Sequence, residues 1–226
     1  FVILAPGPTV NLLEDAISIE GITPLPNTGK LYSTAIFASG PNQMPLGFEV
    51  LQAWIDGDLV VMPRNALYNA GEKASAAKAR QLQEMTDSQS NAALAAWNFI
   101  SQIPGHEKPS WNEKDVKIIL KNTGGGSAGL AFALAIIAKT ADPNLIAGRK
   151  VAATGTIAQN GNVGEIGGVD QKILSASLRG AEIFLMPKAS CASQSKNPKG
   201  MKIYAVATLS DAVHALALAD SAAVPS

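Results

Sequence analysis

The sequence predicts a mixed α/β (α+β) fold in a single domain, and three observations carry that reading. From residue 116 to the end, short β-branched runs alternate with apolar helical stretches, the pattern of strands that cross over through helices. The first 38 residues are richer in strand formers and turn residues than in helix formers. Between the strand-like 116–120 (VKIIL) and the helix-like 127–139 (SAGLAFALAIIAK) stands a glycine-dense turn, 121–126 (KNTGGG). Glycines there mark a bend where the backbone approaches something closely.

Taken in order, residues 1–5 read as a short strand stopped by Pro6-Gly7-Pro8. Residues 16–22 and 30–38 read as the two strands of a β-hairpin joined through PLPNTG. Residues 47–55 suit a short helix and 58–62 an extended piece ended by Pro63. Residues 72–103 are alanine-rich and free of Pro, hence helical, with Thr86 or Asp87 able to cap a second helix after a break. Ala92, Ala96, Phe99 and Ile103 fall three or four apart there and form an apolar stripe. Beyond the glycine turn, the pattern predicts a strand at 150–155, a tight turn at Asn160-Gly161 and a second glycine cluster at 164–168 (GEIGG). A helix over 169–178 closed by Gly180, a strand at 183–186, a strand at 202–207 and a helix over 209–219 capped by Thr208 or Ser210 complete the chain. Organisation is therefore expected as 1–38 strands, 39–85 an insertion, and 86–226 a helix plus the functional core.

Composition narrows the function. Lys plus Arg equals Asp plus Glu at 18 each, so the basic footprint of a nucleic-acid binder is lacking. Charged residues make up 16% against about 25% in an average domain, which suits extensive buried or interface surface. One cysteine, Cys191, and two histidines, His106 and His214, give neither a disulfide nor a zinc set, and no metal or organic cofactor is implied. The longest apolar run, 128–138, falls short of the roughly 18 residues of a membrane span. The chain opens with FVILAPGPTV, which reads as a piece cut from something longer with an anchor upstream of Phe1.

Three readings of the glycine turn compete. Ser127 stands at the expected helix start, beside unpaired N–H groups that could hold an oxyanion, and so is a candidate nucleophile and a candidate N-cap. A serine needs a base, and His106 in a Pro/Gly loop or His214 among Ala and Val of the last helix are poor ones. Lys172 is the other candidate, since it flanks the apolar face made by Val169, Ile173 and Ala176, and a desolvated amine loses its proton more easily. Periodicity alone favours a snorkelling lysine whose ammonium reaches water. The second reading is a dinucleotide site: Gly124, Gly126 and Gly129 match G-x-G-x-x-G, but the next strand, KVAATG, carries no acid at its end. In the third, the glycines only permit close packing and Ser127 only caps.

Linked motifs shift the balance. GSAG (126–129), ATGTIAQNGNVGEIGG (153–168), IGGVDQK (166–172) and EIFLMPK (182–188) resemble, in order and spacing, the proteolytic domain of Lon-type serine peptidases. The resemblance implies Ser127 as nucleophile, Lys172 as general base and Thr154 as the hydroxyl that orients the lysine. The backbone at Gly125, Gly126 and Ser127 would supply oxyanion donors. The opening PGPTV with GKLYSTAIFA, LQAW, VVMPR and QEMTDSQSNAALAAW is similar to bacterial membrane-anchored proteins that join a PDZ module to a Lon-like domain. Only residues 101–115 lie where those proteins carry the PDZ, too few for one. The same resemblance implies an ATP-independent endopeptidase acting on unfolded or flexible polypeptides, soluble as this piece. Its parent would be anchored on the extracytoplasmic face, and ring-forming homo-oligomers are common in the family. The chain departs from the family pattern at Gly126, where proline is usual, and at Thr156, where glutamate is common. A catalytically weak peptide-binding scaffold on the same fold is the alternative, with the dinucleotide binder behind it.

Overall fold

The computed structural model describes residues 1–105, 108–120 and 124–221. His106 and residues 121–123 of the glycine turn lie outside the described residues. The frame is a six-stranded mixed sheet in the order β10-β9-β6-β3-β1-β4, made of β1 (Val2–Asn11), β3 (Lys30–Ala38), β4 (Val60–Met62), β6 (Lys150–Ala153), β9 (Ile183–Pro187) and β10 (Lys202–Val206). β3, β6, β9 and β10 run parallel, whereas β1 pairs antiparallel with both β3 and β4. The parallel strands need crossovers, and the helices supply them.

The expected hairpin between 16–22 and 30–38 is not formed. β3 pairs with β1 instead, Leu4 opposite Ala38 and Asn11 opposite Tyr32, while the short β2 (Ile17–Ile19) leaves the sheet to pair with β5 (Val116–Ile118). Asn11 stabilises the true pair, its carboxamide oxygen accepting from the N–H groups of Leu13 and Leu31. Pro6-Gly7-Pro8 does not stop β1 either. The register shifts between Pro6 and Thr9, so the prolines occupy an irregularity where their missing N–H groups break no ladder. Gly7 allows it, since a Cβ there would sit 2.7 Å from the Ala35 backbone.

Helices cover both faces. α3 (Gly129–Thr140) is buried from Gly129 to Lys139, which is why its sequence is apolar on nearly every side. It packs with α2 (Ala74–Ser101) and α5 (Leu209–Ser221) against one face, in a core that includes Leu31, Val151, Leu134 and Leu185. α4 (Val169–Leu178) covers the other face over Tyr32, Ala152, Phe184 and Met186. The predicted break in 72–103 is absent: α2 runs 28 residues without interruption, and the Thr86 hydroxyl donates back to the Leu82 carbonyl instead of capping. α4 ends as expected at Gly180, whose N–H bonds the Ser177 carbonyl while Ala181 bonds Ala176, a Schellman closure. Thr208 caps α5 in a reciprocal pair with Asp211. α1 (Gly47–Ile55) matches its expected span, and β7 (Thr156–Ile157) and β8 (Val163–Gly164) form the small ribbon around Asn160-Gly161. Among the described residues no helix is long and apolar enough to cross a membrane.

Candidate active site

Ser127 lies two residues before the first residue of α3, and its side chain does not cap that helix; Ala128 occupies the cap position. The hydroxyl is therefore free for other work. The turn that carries it is held from two sides. On the α2 side, the Gly125 N–H donates to the Gln81 carbonyl at 2.8 Å, and the Ser88 hydroxyl donates to the Gly126 carbonyl at 2.9 Å. On the sheet side, the Ser127 carbonyl accepts from the Gly155 N–H at 2.8 Å and from the Thr154 hydroxyl at 3.1 Å. Two glycines are required by contact or conformation: a Cβ at Gly129 would meet Ile157 Cγ2 at 2.8 Å and Ser88 Oγ at 2.9 Å, and Gly125 has φ of 84°. Of the three glycines that match G-x-G-x-x-G, Gly129 is thus explained by packing, and Gly124 is tight, a Cβ there falling 3.0 Å from Gln81 Cβ.

Lys172 arrives from the opposite face of the sheet, on α4. Gly168 starts that helix at φ 65°, and a Cβ there would fall 2.9 Å from Ile36 Cγ2, so glycine lets the helix end settle onto β3. The amine does not snorkel. Lys172 is 2% exposed, its Nζ 2.7 Å from Ser127 Oγ and 3.2 Å from Thr154 Oγ1, and Thr154 is wholly buried. Burial pushes the amine down from its usual value to about 7. The physical cause is loss of hydration of the charged form, because no carboxylate among the described residues pairs with it.

These groups open on a cleft of about 490 Å³, bounded by residues 33–38 of β3, by Leu67 and Tyr68, by Gln81 and Glu84 of α2, and by Glu165 to Gly167. His214 sits exposed on α5, outside this cleft, so it is no partner for Ser127. Of the expected oxyanion donors, the Gly125 N–H is already committed to Gln81, which leaves the N–H groups of Gly126 and Ser127. Cys191 is free and exposed. No cluster of metal-ligating side chains occurs among the described residues.

A family model described as the Lon protease (S16) C-terminal proteolytic domain matches residues 53–219. The chain belongs to the Lon proteolytic-domain family. A Lon protease of Neorickettsia sennetsu is 27% identical to it over 168 residues, 70% of this chain and 19% of that protein, so the chain spans about a fifth of its relative's length. The Lon-type domain is thus of a peptidase family, and its mixed sheet with helices on both faces is the expected architecture.

Two parts of the site carried little signal in the sequence. Ser88 continues the Ala92–Ala96 stripe at a spacing of four, and a polar residue on a buried stripe is a flag for a specific hydrogen bond. Leu67 and Tyr68 reach the cleft because the 64–72 segment is held from outside: Arg80 bonds both Glu72 and the Leu67 carbonyl, Arg64 the Pro41 carbonyl, and the Tyr68 hydroxyl the Ser39 carbonyl. Nothing local to Leu67 or Tyr68 announces that placement.

Proposed function

We propose that this Lon-type domain is a serine endopeptidase in which Ser127 attacks the scissile carbonyl and Lys172 takes its proton. The observation that carries the reading is a hydroxyl 2.7 Å from a dry amine that is half deprotonated near pH 7. The lone pair of the neutral amine accepts the Ser127 proton as the Oγ–C bond forms. Thr154 accepts an N–H from the same amine while its own proton goes to the Ser127 carbonyl, which fixes where that lone pair points. The ammonium then protonates the leaving amine as the C–N bond breaks, and an ester to Ser127 remains. Lys172, neutral again, deprotonates a water that adds to the ester carbonyl, and the returned proton frees Ser127 and the carboxylic product. The N–H groups of Gly126 and Ser127 hold the oxyanion in both halves. No step of this hydrolysis calls for a nucleotide, so the proposed reaction is ATP-independent.

The substrate class follows from β3. It pairs with β6 only from Lys30 to Ser33, so beyond Ser33 that edge has no strand partner among the described residues, and residues 33–38 border the cleft. An extended polypeptide added along this edge would bring its backbone past Ser127. A folded chain offers no such free strand, hence the preference for unfolded or flexible substrates.

A fluorophosphonate or peptidyl boronate probe tests the assignment with a quenched casein-type substrate as readout. Ser127→Ala and Lys172→Ala should each lower turnover at least about 10³-fold, and ATP should leave the wild-type rate unchanged. Cleavage that survives in Ser127→Ala would refute the nucleophile, and undiminished labelling of Lys172→Ala would refute the base. Peptide binding at the β3 edge without turnover in the wild type would favour the scaffold reading instead.

A further inference from the structure

The Gly126–Ser127 peptide unit is the hinge of the proposed site, because it carries both a carbonyl on the α2 side and the N–H of the nucleophile. All peptide bonds among the described residues are trans. In a trans peptide, carbonyl and N–H point in opposite directions across the plane, so whatever fixes one aims the other. The Gly126 carbonyl accepts from Ser88 Oγ at 2.9 Å, and more distantly from the Gly129 N–H at 3.3 Å. Ser88 is 5% exposed in α2, beneath the turn, whereas Gly126 and Ser127 border the cleft. Glycine at 126 leaves this plane free to rotate, more than any other residue would. Close packing does not require the glycine there, since a Cβ at Gly126 would make only ordinary contacts, with Thr156 at 3.6 Å and Glu84 at 3.7 Å.

We infer that Ser88 is a positioning residue for catalysis: by holding the Gly126 carbonyl toward α2 it turns the Ser127 N–H outward, at the place where the oxyanion develops. This rests on the assignment of Ser127 as nucleophile and Lys172 as base. Ser88 touches no substrate atom and moves no proton. Its hydroxyl does in this chain what a stiffer residue before the nucleophile would do through its own backbone. The effect belongs to the transition state, since an aimed N–H matters most when the carbonyl oxygen has gained charge.

Ser88→Ala is the test, assayed with the full chain on a fluorogenic peptide. Expected are a kcat lower by about 10- to 100-fold with KM within about twofold, the smaller end reflecting the Gly129 N–H that remains. Affinity for a peptidyl boronate should fall by a similar factor, while affinity for an uncleaved product peptide stays. The rising limb of the pH–rate profile should stay near pH 7, because the lysine pocket is untouched. Should Ser88→Ala fail to fold, Ser88→Cys carries the same comparison, keeping the shape with a slightly larger atom and offering only a weak donor. An unchanged kcat, or equal losses in boronate and product affinity, or a displaced pH limb would each overturn the inference. Failure of the underlying assignment looks different: there Ser127→Ala itself would retain activity.

Discussion

The Lys172 amine titrates near 10.4 in the unfolded chain and near 7 in the fold, so the residue proposed as the base also bears on stability. Between those values the unfolded chain binds more protons, so the free energy of unfolding rises with pH across that window, and below about pH 7 the folded state bears the full cost of a buried charge. That cost is roughly 4–5 kcal/mol, and removing the amine would give up two hydrogen bonds of about 1 kcal/mol each. Lys172→Met, which keeps the volume and removes the charge, should therefore raise Tm by about 4–10 °C at pH 6 while abolishing cleavage, as thermal melts with a parallel assay will show. The same amine predicts that kcat/KM climbs tenfold per pH unit below 7 and levels above it; a flat profile between pH 5 and 8 would remove it as the base. Thr154→Val should lower kcat and move that limb, since the hydroxyl it removes accepts from the amine.

At the scale of elements, α2 does two jobs with one continuous helix. Its C-terminal part buries Ala92, Ala93, Ala96 and Ile100 in the main core, and the stretch before it presents Gln81, Glu84 and Ser88 to the glycine turn. A break at Thr86 would have uncoupled the two, so the core fixes the wall of the cleft through helix rigidity. Gly129 is where α3 and the β7 ribbon meet most tightly, and Gly129→Ala should cost about 1–3 kcal/mol in urea denaturation, because both neighbours, Ile157 and Ser88, are themselves fixed. Arg80 of α2 ties down the 64–72 segment through Glu72 and the Leu67 carbonyl, braced by Glu84 of its own helix, and the guanidinium holds the Glu72 carboxyl below the usual carboxylate range. Arg80→Ala should release that segment, read as earlier proteolytic cutting between 64 and 72 and a higher KM with little change in kcat.

For the whole molecule, the two halves of the site approach from opposite faces of one sheet. Ser127 comes with the α3 layer and Lys172 with the α4 layer, and they meet where β6 ends and leaves the β3 edge open. The geometry of the proposed dyad and the global packing are thus coupled. A boronate bound to Ser127 at a hundred times its Kd should raise the unfolding free energy by about 2.7 kcal/mol, a Tm shift of about 5–10 °C for a chain of this length. Ser127→Ala should lose that shift.

What the sequence determined by itself were the local facts: the alternation of strands and helices after residue 116, the Gly180 closure and the apolar α3 are all set by short-range periodicity and turn chemistry, and the cap of α5 is narrowed to Thr208 or Ser210. The motif order also singled out Ser127, Lys172 and Thr154, which the structure places within 3.2 Å of one another through Lys172. Only the tertiary structure decided that β3 pairs with β1 and not with 16–22, that Pro6-Gly7-Pro8 lies inside a strand, and that α2 continues past Thr86. It also decided that Lys172 turns inward, for a flanking lysine on a helix reads the same whether water or a hydroxyl waits at its tip. Strand partners, burial of a charge and the direction of a peptide plane depend on groups tens of residues away, and those distances are closed only when the chain packs.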